Sequence, residues 1–502
     1  MKLKLFIITL LTLLVAGCTR EPFPQLEEPG GKLVTISATI PPETRVLYDD
    51  TDRSLAWQSG DKIKLAGYDA SNAYIGESTF TWTETGNVFT GTMVQGATTY
   101  KAYYPATVTL DETTGEVQLP DNFWQQTQNG DGTTGHLRNK LLLFDETARP
   151  ITQTFALSAK SSIIKLNLSG IPQEVGALRK LIYTVETAPG VFKSVPLNVT
   201  DVTFSAALDN ITAFLSFDPT VMTNTAAGGK VIIRLKGDKL YQWSQSVALG
   251  KDYVAGNRYT GAVSSGWADI TTPLYYIAEY NVTQDGDGFV TDLTSCSGSG
   301  YFTWSEAFDL FNNTTTIGGV NYHWPSDSEW FGIVPKYVKT GYYVHFKTEY
   351  SYDNVYESVK VRSEFFNVYG NFRTTPNNIS YALRYRNTVW YSAWRYEYIA
   401  DGNNTHMKIT SRKVASSVTV GAIAQESFWA SDTEKDIVRY FPASGYESSG
   451  SYSYQGERGY FWSSTAHSSN NSYAWYMLFN TDRSYSNNTP KIFKNTVRLF
   501  YD

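Results

Sequence analysis

The chain has 502 residues, a net charge of −6 and only 18% charged side chains, with no basic stripe, so it carries no signature of nucleic-acid binding. Aromatic residues make up 15%, tyrosine alone accounting for 36, a balance that suits an extracellular β-rich protein making contacts through tyrosine, tryptophan, serine and asparagine. The length allows two to four domains.

The first residues, Met1-Lys2-Leu3-Lys4, are followed by an apolar run from Leu5 to Val15 and by Ala16-Gly17-Cys18. That run is short for a bilayer span and suits the core of a signal peptide. Small residues before a cysteine resemble the lipobox of bacterial lipoproteins, with Val15 in place of the commoner leucine. This predicts a signal peptide at 1–17 and lipidation of the Cys18 thiol, each buried methylene contributing roughly 0.8 kcal/mol to anchoring. Membrane contact is expected through that lipid alone. With Cys18 used, Cys296 stands alone, which leaves no intramolecular disulfide and no cysteine-based zinc site.

Residues 18–32 are rich in proline, glycine and glutamate and read as a tether. From Leu33 the pattern is β, with Val34, Ile36, Ala38 and Ile40 alternating onto one face before the Pro41-Pro42 turn. Short strand-like runs follow at 45–48, 61–68, 78–82, 88–92 and 99–104, then a polar connection at 121–140. A second set covers 151–157, 161–168, 181–186, 213–217, 230–235 and 242–248, and closes with 253–263. The expectation is two tandem antiparallel β-sandwiches, at 33–147 and 148–266.

Beyond Trp267 the composition changes, and eight of the thirteen tryptophans lie there. Thr303-Trp304-Ser305-Glu306 and Ser326-Asp327-Ser328-Glu329 both have the spacing of a capping box, in which each end satisfies an orphan backbone N–H. We expect an α+β domain at 270–502, built from two short helices, a loop-rich stretch and closing strands. The fold class is therefore mainly β with a C-terminal α+β domain.

The N-terminal half resembles the fimbrillin family of Bacteroidetes pilins. The resemblance rests on Thr44-Arg45-Val46 before Tyr48, on Leu55-Ala56-Trp57-Gln58-Ser59-Gly60-Asp61-Lys62-Ile63, on Tyr100-Lys101-Ala102-Tyr103-Tyr104-Pro105 and on Gly250 to Tyr259. It implies transthyretin-like pilin domains and assembly by strand exchange with other pilin subunits. In that family an arginine-specific protease removes the first strand, and the groove accepts a neighbour's strand. Arg45 matches the cleaved position, with Arg53 second.

The C-terminal part resembles the Fibrobacter succinogenes major paralogous domain, which implies a C-type-lectin-like fold. The matching stretches are Tyr301 to Ala307, Tyr322-His323-Trp324-Pro325-Ser326-Asp327-Ser328-Glu329-Trp330, Val438 to Tyr446, Gly459 to Thr465, Ala474-Trp475-Tyr476 and Val497-Arg498-Leu499.

The chemistry is sparse. No calcium-site tripeptide of sugar-binding lectins occurs, and Asp285-Gly286-Asp287-Gly288 lacks the remaining ligands of a calcium loop and reads as a solvated turn. No two of the five histidines are three or four residues apart, so no helical metal pair exists, and His323 reads as a packed or hydrogen-bonded residue at a helix start. No catalytic residue, metal site or cofactor is expected. Trp390, Trp394 and Tyr396 are candidate ligand-contact aromatics.

Together these features predict a surface-exposed, outer-membrane fimbrial tip or accessory subunit for adhesion. A stalk pilin ends in a strand that it donates, whereas the last strand here, 496–501, is expected to be used within its own domain. The alternative is a surface lipoprotein that never polymerises and binds host or bacterial glycan or protein through its C-terminal domain. A third reading, an enzyme related to sulfatase-modifying proteins, lacks the cysteines for it.

Overall fold

Strict alternation in the first strands builds two cores on opposite faces of one sheet. Along Lys62–Tyr68, Ile63 and Leu65 point into one cluster while Ala66 and Tyr68 point into another. The computed structural model describes residues 32–40, 56–223, 229–247, 252–337, 341–375 and 377–502. Cys18, Arg45 and Arg53 lie outside these.

The first domain centres on a seven-stranded sheet whose edge strand is Leu33–Ile36, paired antiparallel with Val88–Thr92. The indole of Trp57 donates to Ala38 O at 3.2 Å and packs edge-on against Phe89 and Tyr104. Asp61, buried beside the Gly60 turn, pairs with Arg138 at 2.6 Å.

The second domain packs a three-stranded sheet onto a six-stranded one around Leu166, Leu181, Leu197, Leu215 and Leu235. The expected boundary at 147/148 moves. Phe155–Ala156 pairs with Ala38–Thr39, and Leu143–Arg149 pairs with Ser158–Ala159, so the first domain runs to residue 159. Conversely, Gln126–Asn129, expected within a plain connection, adds to the second domain in parallel with Leu197–Thr200. The side chain of Gln128 accepts from Phe214 N at 2.9 Å and donates to Thr212 O at 2.8 Å, which stitches this polar strand across the sandwich. Polarity hid the strand because its side chains bond backbone instead of filling a core. Val191–Thr200 was also missing from the expected set, since Pro196 interrupts its pattern.

The C-terminal domain carries both predicted capping boxes, at the starts of helices Trp304–Phe311 and Asp327–Ile333. The expected loop-rich stretch after them is instead the largest regular element of the domain. It is a six-stranded antiparallel sheet running from Ser351–Val361 through Glu364–Thr375, Ile379–Arg384, Ser392–Ile399 and His406–Lys413 to Ile437–Pro442. Its inward face includes charge: Glu357 alternates with Val355, Val359 and Val361, and it meets fully buried Arg384. Arg384 also donates to the carbonyls of Phe331, Gly332 and Ile333, closing the end of the 327–333 helix.

This domain and the second sandwich share one core. Leu240 and Ile270 belong to the same cluster as Trp330, Trp394 and Phe500. Across the seam, the hydroxyls of Tyr275 and Tyr276 donate to Gly237 O at 2.8 Å and Asp238 O at 3.1 Å. Lys230 pairs with Glu434 at 2.7 Å and Lys413 with Asp269 at 2.6 Å.

Candidate functional site

Two places combine accessibility with unusual local structure: the edge strand of the first domain, and a cavity on the seam between the second sandwich and the C-terminal domain.

The edge strand is held by backbone pairing on one side only. Leu33 is 69% exposed, whereas Ile36 is buried among Ile63, Leu65, Phe80 and Phe89. Val34, Ala38 and Ile40 pack more loosely against the same cluster. Withdrawing the segment would uncover the unpaired edge of Val88–Thr92 and the socket of Ile36.

The cavity has a volume of about 630 Å³, within the usual range for small-ligand pockets. One wall is the tip of the 351–375 hairpin, from Lys360 to Glu364, and the others come from Lys239, Tyr276, Trp390 and Tyr501. A two-residue turn, Arg362-Ser363, joins the strands, and Arg362 sits at φ +55°, a left-handed conformation that strains a side chain of this size. Its guanidinium lies 5.4 Å from the centre of the Tyr276 ring. Trp390 is almost wholly buried and its indole N–H meets no acceptor.

The cavity floor holds a polar chain. His323 Nε2 lies 3.0 Å from Glu329, and His323 Nδ1 lies 2.7 Å from Asp502. The second oxygen of Glu329 accepts from the N–H and hydroxyl of Ser326, which closes the capping box. Lys360 approaches Glu329 at 3.5 Å. Burial alone would lower the His323 pKa, but Glu329 and Asp502 outweigh it and raise it above the ordinary value. Burial would likewise raise Glu329, yet His323 and Ser326 hold it low. The imidazole thus bridges two carboxylates, and both favour its protonated form.

Of the three aromatics expected to meet a ligand, only Trp390 lines this cavity. Trp394 and Tyr396 are fully buried and belong to the core instead. Within Ser392–Ile399 the even-numbered side chains all face inward, so the Trp394 indole donates to Ser392 Oγ and the Tyr396 hydroxyl to Ile333 O. Asp285 and Asp287 are exposed on a turn between the bridged residues Val282 and Phe289. Among the described residues no three histidine, cysteine or carboxylate side chains converge as a metal site would require, and Cys296 is buried with a free thiol. The cavity itself was missed from sequence, because its walls come from five separated segments. The one local signal was the histidine beside a capping box.

Residues 269–500 match a family described as a domain of unknown function (DUF8237). No curated protein matches the chain. Several solved structures are similar over about half of it. A candidate cell-adhesion protein from Bacteroides fragilis shares 16% identity, covering 48% of this chain and 95% of its own, with a TM-score of 0.28. One from Bacteroides ovatus has the same identity and TM-score, covering 48% and 96%. A fimbrial assembly protein from Parabacteroides distasonis shares 13% identity over 48% and 96%, with a TM-score of 0.23. No helix among the described residues is long and apolar enough to cross a membrane.

Proposed function

We propose that this chain is a cell-surface adhesion subunit, lipidated at Cys18 for delivery to the outer membrane. In this reading it enters a fimbrium by exchanging its first strand for one from a neighbouring pilin. The observation that carries the reading is the edge position of Leu33–Ile36, with a single deeply buried anchor at Ile36. Cleavage after Arg45 would release lipid and strand together. The open edge then pairs a donated strand by β-augmentation, with main-chain bonds for affinity and the Ile36 socket for register. The segment 496–501 is built into its own domain, with Val497 and Leu499 in the core. A subunit of this kind accepts a strand without offering one in return, which suits a tip or accessory position. The C-terminal domain, with the C-type-lectin-like fold that its Fibrobacter-type motifs imply, would be the displayed head.

The test has two parts. The N-terminal residue of protein recovered from the cell surface should be Val46, and mixing with a stalk pilin and an arginine-specific protease should give a detergent-resistant complex. A chain that still begins at Cys18 and forms no such complex would sink this reading. It would favour a second one, a static lipoprotein that binds its ligand through the C-terminal half. The seam cavity with strained Arg362 and unpartnered Trp390 is the observation that keeps the second reading alive.

A further inference from the structure

A second cavity, of about 460 Å³, opens on the same seam, on another side of Tyr501. Its lining is lopsided in charge. Arg179, Lys180, Lys236 and Arg439 face it, against one carboxylate, Glu279. Behind the wall lies Arg498, fully buried, and at the rim Asp238 pairs with Arg179 at 3.4 Å. The excess is positive in a chain whose net charge is −6.

Three of these cations already donate to protein acceptors. Arg439 donates to the carbonyls of Ile277, Val438 and Tyr275. Arg498 donates to the Asn281 side chain and to Ala278 O, Glu279 O and Tyr440 O. Arg179 bonds Gly237 O and Asp238. Their charge still acts on the cavity, since bonds to neutral carbonyls do not cancel it. Two ammonium groups remain open to a ligand. Among the described residues the Lys236 ammonium pairs only with Glu279, at 3.1 Å, and the Lys180 ammonium donates no side-chain hydrogen bond.

Glu279 reports the field. Lys236 first, with Arg439 and Lys180 behind it, outweighs the burial of this carboxyl and holds its pKa down to about 2. Another carboxylate or a sulfate placed beside it meets the same cations. The rest of the lining suits a hydroxylated ring. Thr127, Asn198 and Thr200 supply polar groups, beside a wall of Tyr275, Tyr322 and Tyr501 whose rings pack on one another. A cavity of this size is within the usual range for small-ligand pockets.

We propose that this junction cavity binds an acidic sugar, its carboxylate or sulfate seated between Lys180 and Lys236 and its ring against the tyrosines. The proposal does not depend on strand exchange, since every residue involved lies between Thr127 and Tyr501 of the full chain.

Calorimetry on the intact protein tests it with three disaccharides of similar size: one with glucuronate, one sulfated and one neutral. The two acidic sugars should bind and the neutral one should not, and added salt should weaken binding. The double variant K180Q/K236Q should lose affinity by about tenfold or more while melting like the parent. Glu279→Gln removes the competing carboxylate and should tighten binding, a gain that a folding defect cannot mimic. The balance between the glucuronate and sulfated arms identifies which anion the site prefers. Equal binding of the neutral sugar, unchanged affinity in the double variant, or no binding of either acidic sugar at millimolar concentration would each overturn the proposal.

Discussion

The two outermost strands of the described chain are held in contrasting ways. Leu33–Ile36 touches one neighbour strand and sinks a single side chain deeply, at Ile36. Phe500–Tyr501 pairs with Val320–His323, bridges Ile277 through Phe500, and follows a run in which Val497 and Leu499 enter one core while Phe500 enters another. The contrast is between pairing with one buried anchor and pairing plus alternation into two cores. Under the proposed strand exchange, a segment of the first kind would leave without opening the domain. A segment of the second kind cannot be withdrawn until both cores loosen.

The largest way to break this contrast is at Arg498. Its four acceptors are three backbone carbonyls and Asn281, all within the shell around the 496–501 segment. Burial, reinforced by Arg439 and opposed by Glu279, pushes its pKa down to about 9, and no carboxylate pairs with it directly among the described residues. We expect Arg498→Met to destabilise the C-terminal domain by about 5 kcal/mol, because charged hydrogen bonds are lost and buried carbonyls left unpaired. Hydrogen exchange across 496–501 in urea would measure this, and protection equal to the parent's would refute it.

Arg384 comes next. It ties the 327–333 helix to the six-stranded sheet, and Trp330 on that helix packs 5.1 Å from Phe500. Arg384→Met strands Glu357 in the core and should cost about 4 kcal/mol. Adding Glu357→Gln removes the uncompensated charge and should recover part of that loss in a denaturant melt. No recovery would mean that the guanidinium acts chiefly through the helix-end carbonyls.

The first strand offers the sharper side of the comparison. Ile36→Ala should cost about 2 kcal/mol in the first domain and leave the C-terminal melt unchanged. The amides of 33–36 should exchange faster than those of 62–68. Equal protection of the two strands would contradict a detachable edge.

The smallest effect concerns pH. His323 takes up its proton more readily in the fold than in the unfolded chain. Its contacts with Glu329 and Asp502 therefore contribute fully below its ordinary value near 6.5 and fade as pH rises through the raised value. Glu329 runs the other way, contributing above its ordinary value near 4.5 and losing that as pH falls through its lowered value. Stability of the cavity floor should thus be greatest in mildly acid solution. His323→Gln should flatten the decline toward alkaline pH, which a melt series from acid to alkaline buffer would read, with NMR titration of the His323 ring as the direct check.

Local chemistry was readable where residues close in sequence satisfy each other. Both capping boxes form as spaced, and the Gly60-Asp61 turn and the stop at Tyr104-Pro105 fall where the residues put them. Reading failed where a partner lies far along the chain. Glu357 looks like a break in an apolar pattern until Arg384 arrives from 27 residues away. Gln126 and Gln128 look like linker until they bond Ser216, Phe214 and Thr212. Trp390, Trp394 and Tyr396 are equivalent in sequence and join one core cluster, and only Trp390, which lies before the strand begins at Ser392, also reaches a cavity wall.

The sequence by itself determined the β-rich character, the sandwiches and the two helix starts, because each depends on residues a few positions apart. The tertiary structure alone decided that the second sandwich and C-terminal domain share a core, that two cavities open along that seam, and that the 496–501 segment is tucked in while Leu33–Ile36 lies at a sheet edge. The meetings of distant surfaces decide this, and burial of apolar area can be satisfied by many pairings that a linear pattern does not distinguish.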